Sequence, residues 1–165
     1  MITIDNTTSA SDITLESILK VQTKAETLDI CKKLGLYVSP NLKKDETAKR
    51  VANDMLGNTI NILCSLNKQE LQIVDEFVKG RADTCVTRKM RKTLYKLQKF
   101  CLVVTHENEE KQEWNMFMPD SVRNALSENI RFYLDMAEHD VKAPSPKQLR
   151  MMLHKQILLN DGYNQ

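Results

Sequence analysis

Glycine and proline are scarce in this sequence, four of each in 165 residues, and that scarcity leaves too few turn signals for a sheet-rich fold. All four glycines fall at expected helix ends, so none remains for a phosphate-cradling loop. The four cysteines, Cys31, Cys64, Cys85 and Cys101, lie far apart. They form no CxxC pair and have no histidine at zinc-ligand spacing; each sits beside apolar residues, which predicts buried free thiols in a reduced core. His106, His139 and His154 likewise lack partners at a ligand spacing, so no metal site is expected. Aromatic residues make up 5% of the chain, too little for a stacking platform that would hold single strands. No stretch approaches the roughly 18 apolar residues of a membrane span, and residues 1–11 carry neither a basic residue nor a signal-like apolar run. These absences predict a soluble, cytoplasmic protein that begins with a flexible tail at 1–11. Carboxylates occur in pairs, but none stands near a Ser, Cys or His pattern that would make an acid, a base or an activated nucleophile. No catalytic residue, no cofactor and no small-molecule substrate is expected.

What is present favours helices: 41% hydrophobic residues can build a core, and 28% charged residues can cover it. Net charge is only +2, yet it is unevenly placed. Between Arg81 and Lys99 seven basic residues face the single acid Asp83, whereas Phe100 to Glu138 holds eight acids and three basic residues.

The chain opens its regular pattern at Asp12 or Thr14, either of which can cap a short helix through Leu15, Ile18 and Leu19. Thr23 and Glu26 have capping-box spacing, and Leu28, Cys31 and Leu34 form an apolar stripe that Gly35 ends in a left-handed turn. Leu36 to Pro40 reads as an extended loop. A second helix then presents Ala48, Val51, Ala52, Met55 and Leu56 before Gly57. This helix, extended loop, helix unit spans 12–57. Its string TKAETLDICKKLGLYVSPNLKKDETAKRVANDML resembles SAP domains and the similar N-terminal module of the transcription terminator Rho. That resemblance implies nucleic-acid contact, with Lys43 and Lys44 as phosphate ligands. A helical hairpin that merely packs on its neighbour fits the same pattern.

From 58 to 138 the signals change. Ile60, Ile62, Leu63 and Leu66 lead to a second capping box, Asn67 with Glu70, and to an apolar face of Leu71, Ile73, Val74, Phe77 and Val78 closed by Gly80. Thr84 or Thr87 then caps an expected basic helix to about Lys99. Cys101 to Thr105 and Trp114 to Met118 read as a hairpin, and Asp120 caps a helix through Val122, Leu126, Ile130, Tyr133, Leu134 and Ala137. The strings VTRKMRKTLYKLQKFCLVV and MPDSVRNAL resemble the recognition helix, first wing strand and following helix of winged helix-turn-helix proteins. The resulting expectation is a mainly α fold: the first module, a winged helix with a small β-hairpin, and extra C-terminal helices.

At about 100° per residue, Met90, Leu94 and Leu97 share one face of the expected basic helix, and Arg88, Lys92, Tyr95 and Lys99 lie opposite. The resemblance therefore implies double-stranded DNA as partner, with RNA as the alternative, gripped by Arg88, Arg91, Lys92, Tyr95, Lys96 and Lys99, as a regulator of transcription would do. An ordinary solvated basic face is the competing reading. The acids around the presumed wing tip, Glu107, Glu109, Glu110 and Glu113, repel phosphate and favour a protein partner instead. The segment 139–165 holds a last helix that Ser145 and Pro146 start, with Leu149, Met152, Leu153, Ile157 and Leu158 on its apolar face. It is expected to complete the core, or else to make a homodimer.

Overall fold

A computed structural model describes residues 1–5 and 12–163. Its N-terminal part is built on local caps. The Thr14 side chain accepts from the Ser17 amide at 3.1 Å and Ser17 Oγ accepts from the Thr14 amide at 3.0 Å, which starts α1, Leu15–Val21. Thr23 and Glu26 make the same reciprocal pair at the start of α2, Lys24–Lys33. Gly35 takes a φ of 71° just past α2, and the Leu36 amide donates back to the Cys31 carbonyl, so a left-handed residue turns the chain into the extended connection. α3, Lys44–Gly57, then lies across both earlier helices, burying Ala48, Val51, Ala52 and Met55.

α4, Thr59–Leu63, is one short turn that Asn61 ties back to the first unit by donating its amide to the Leu34 carbonyl at 2.8 Å. α5, Lys68–Lys79, starts at the expected Asn67 and Glu70 box. It packs against β1, Cys85–Lys89, and against α7, Asp120–Ser127, and α8, Ile130–Glu138. Between these lie α6, Lys96–Lys99, and the hairpin of β2, Val104–Asn108, and β3, Glu113–Phe117. The three strands form an antiparallel sheet in the order β1-β3-β2. Trp114 and Met116 of β3, with Val86 of β1 and Thr105 of β2, point to the helices and are buried; Glu113 and Asn115 alternate to the other side. One contiguous core runs from Leu15 to Leu134, so both parts of the chain share it.

Several expectations are corrected. The basic helix from Thr84 or Thr87 to Lys99 does not form: residues 85–89 are strand β1, residues 90–95 bend, and only 96–99 make a helical turn. Val86 pairs with Met116 and Thr87 with Asn115, and this pairing satisfies backbone groups and buries Val86 in a way that an exposed helix could not. The sheet thus has three strands rather than a lone hairpin. Cys101 adopts a φ of 59° in a turn, and β2 begins only at Val104. The helix expected from Asp120 to Ala137 breaks at 128–129 into α7 and α8. Within the expected tail, Ile2 and Ile4 hydrogen-bond to Thr105, with a parallel bridge from Thr3, while residues 6–11 lie outside the described residues. Of the cysteines, Cys31 and Cys101 are buried, Cys64 is half-buried and Cys85 is exposed on β1.

The C-terminal helix α9, Pro146–Tyr163, starts where Ser145 and Pro146 predict, but it does not complete the core: residues 151–162 are all exposed. No helix among the described residues is long and apolar enough to cross a membrane.

Candidate nucleic-acid interface

The run from Arg88 to Lys99 holds six cations and no acid. The fold distributes them over a strand end, a bend and a turn. Arg88 projects from the inner side of β1 and is ion-paired with Glu76 of α5 while it donates to the Thr87 carbonyl at 3.0 Å. Lys89 ends β1, is exposed, and faces Glu113 in the strand register. Arg91 stacks its guanidinium 3.8 Å over the Tyr95 ring and reaches Gln69 at 3.3 Å. Lys92 is exposed at the bend.

Tyr95 is not a surface group, as the expected face required; it is buried, edge-on to Trp114 at 6.0 Å between ring centres. Lys96 is held twice. Its backbone amide donates to the buried Glu70 carboxylate, and its ammonium donates to the Ser65 carbonyl at 2.5 Å. Glu70 also accepts from the Asn67 amide at 3.1 Å, so one carboxylate closes the N-terminus of α5 and fastens the start of α6 to it. On the core side Leu97 is fully buried, whereas Met90 and Leu94 are only partly so.

Lys96 and Lys99 line a cleft of about 420 Å³ together with Lys33, Glu26 and Asp29 of α2, which brings the first unit beside the basic segment. Lys33 is paired with Asp29 at 2.8 Å. Neither Lys33 nor Lys89 was among the contact residues expected from the sequence, although Lys89 lies inside the basic run between Arg81 and Lys99. Lys43 and Lys44 do not line this cleft. They stand at the cap and first position of α3, both exposed, with Asp45 and Glu46 in the same first turn offsetting their charge.

The acidic turn of the hairpin lies at the same end of the sheet as the basic bend. The Met90 amide donates to the Gln112 carbonyl at 2.8 Å, and Lys89 is level with Glu113. Positive and negative groups are therefore adjacent at this end; beyond it Lys92 is exposed, and Lys96 and Lys99 reach the cleft that Glu26 and Asp29 also line.

Burial sets the chemistry of the thiols near the cleft. Cys101 donates to Gln22 at 3.3 Å, and desolvation, which outweighs the opposing N-terminal ammonium and is helped by the Glu26 carboxylate, pushes its pKa up to about 11. Among the described residues no group of three or more His, Cys, Asp or Glu is placed to hold a metal ion. No protein-family model, no curated protein and no solved structure matches the chain, so the surface is read from its own geometry.

Proposed function

We propose that this chain is a non-catalytic nucleic-acid-binding protein that grips the phosphate backbone with the ridge running from Lys89 to Lys99. The observation that carries the reading is that run of cations without an acid, of which Lys89, Lys92 and Lys99 form no ion pair among the described residues. Ammonium groups on a rigid scaffold displace condensed counterions and bind phosphate at any sequence. The hairpin beside the ridge and the helix α7 after it support the winged-helix resemblance, but the helix that such a domain would insert into a major groove is replaced by β1 and a bend. Backbone binding, on duplex DNA first and RNA second, is therefore favoured over base readout. The acidic turn would direct phosphate to the Lys92 to Lys99 side.

Mobility shifts on duplex and single-stranded probes at several salt concentrations test this. Replacing Lys89, Lys92 and Lys99 by Gln should leave the fold intact, since exposed substitutions move stability by under about 0.5 kcal/mol. Each lost phosphate contact should reduce the slope of log affinity against log salt by about 0.9, roughly two units for Lys92 and Lys99 and nearly three if Lys89, level with Glu113, also meets phosphate. Equal affinity and equal slope in parent and variant would refute the reading. The result would then favour a protein-interaction module, for which the adjacent acidic turn and basic bend form a bipolar patch able to meet its own copy head to tail.

A further inference from the structure

We propose that the open edge of β1 takes up an extended acidic segment of a partner protein as an added strand, antiparallel to β1. The hydrogen-bond parity of the sheet shows which backbone groups are available. The Met90 amide donates to the Gln112 carbonyl at 2.8 Å, so in the register of β1 with β3 the ladder bonds fall on Val86, Arg88 and Met90. The backbone groups of Cys85, Thr87 and Lys89 therefore point away from β3, and all three residues are exposed. Of these groups only the Thr87 carbonyl has a partner among the described residues, the Arg88 guanidinium at 3.0 Å. The edge thus presents more donors than acceptors, which suits a guest that brings carbonyls and carboxylates.

The other edge of the same sheet is already extended in this way. Residues 2–4 lie beside β2, where the Thr105 amide donates to the Ile2 carbonyl and the Thr105 carbonyl accepts from the Ile4 amide, each at 3.0 Å. Thr105 stands in β2 as Thr87 stands in β1, with its backbone groups turned outward. Charge selects what the free edge accepts. Lys89 ends the strand and Lys92 is exposed just beyond it. Of the acids at this end, Glu76 is paired with Arg88, and Glu113 lies across from Lys89 on β3, away from the open edge; Asp83 stands in the turn at the other end of β1. A guest with an acid opposite Lys89 pairs with it across the strands, and a second acid two residues earlier comes beside the bend that carries Lys92. Main-chain bonds then supply affinity, and the acids supply the choice of partner. The proposal does not rest on phosphate binding, but both use Lys89 and Lys92, so guest and polyanion compete.

Amide shifts and hydrogen exchange of the isotope-labelled chain, read by NMR, test this with the capped peptides Glu-Val-Glu-Val-Thr-Val-Thr and Lys-Val-Lys-Val-Thr-Val-Thr. In the free protein the amides of Cys85, Thr87 and Lys89 should exchange faster than those of Val86, Arg88 and Met90. The acidic peptide should shift and slow the first three, and it should bind at least about tenfold more tightly than the lysine peptide. Thr87→Pro deletes an outward donor that the ladder to β3 does not use, a change that edge strands tolerate, and it should weaken the acidic peptide at least about tenfold. Its affinity for duplex DNA should stay within about twofold of the parent, because no cation is lost. Lys89→Gln combined with Lys92→Gln, both exposed, should bring the two peptides within about threefold of each other. An acidic peptide that leaves the three amides unmoved, or equal binding of both peptides by the parent, would overturn the proposal. So would acidic binding that Thr87→Pro leaves intact, which would show attraction by charge alone, or a peptide-free parent that reaches the mass of two chains with the same three amides slowed, which would assign the edge to a second copy.

Discussion

Removing the Glu70 side chain should loosen the junction between α5 and the basic segment more than any nearby surface change. The carboxylate is almost wholly buried and accepts two backbone N–H groups, those of Asn67 and Lys96. A hydrogen bond to a charged group contributes about 1.5–3 kcal/mol, so Glu70→Ala forfeits two of them and gains back the solvation that the carboxylate lost on burial. A net loss of about 3 kcal/mol follows, a large fraction of the 5–15 kcal/mol that stabilises a typical domain. Glu70→Gln keeps one acceptor and turns an NH2 toward the other donor, and about 1–2 kcal/mol should be lost. Urea melts followed by far-UV circular dichroism and by Trp114 fluorescence measure both variants, with the m-value checked for constancy. A cost below about 0.5 kcal/mol for Glu70→Ala would show that water serves both amides equally well and that the carboxylate fastens nothing.

Leu97→Ala removes a fully buried side chain beneath the ridge and should cost about 2–5 kcal/mol in the same melts; a negligible change would mean that α6 is not anchored through this face. Gly80→Ala should destabilise although its backbone is ordinary, because a Cβ there overlaps the Thr84 side chain, whereas Gly57→Ala meets open space and should be neutral or slightly stabilising; equal melts for the two would refute this contrast. Alkylation of the native protein at pH 8, read by peptide mass, should label exposed Cys85 first and Cys101 last; rapid labelling of Cys101 would contradict its burial. Because folding raises the Cys101 pKa from 9.0 to about 11, its contribution to stability is present below the unfolded value and is lost as pH rises through the folded one; replacing Cys101 by Ala should flatten that alkaline limb.

The capping boxes at Thr23 and Asn67 and the stop at Gly35 were legible in the sequence because each is decided within three or four residues of itself. Strand β1 was not. Met90, Leu94 and Leu97 have helical spacing, and what overrides it is the pairing of Val86 with Met116 on a strand formed much later in the chain. The same override moved Tyr95 from the expected surface into the core against Trp114, and it divided the expected binding face into groups that hold Glu76, Gln69 and Ser65. The basic character of the segment was read correctly from composition alone, since charge does not depend on the backbone path. For α9 the apolar pattern announced a buried face that residues 151–162 do not form on this chain, since they are all exposed.

The far side of β2 is occupied by the bridge from Thr3, while β1 pairs on its outer side with no strand among the described residues. An open strand is a template on which other chains can grow into aggregates, and natural sheets discourage this with lysines and arginines. Lys89 stands on that strand with Arg91 and Lys92 just beyond it, so a second β1 approaching edge to edge meets like charge. The cations proposed to meet phosphate would thus also guard this edge against fibrous growth. Neutralising them, by glutamine substitution or by a saturating polyanion, should lower solubility as well as change what the protein binds.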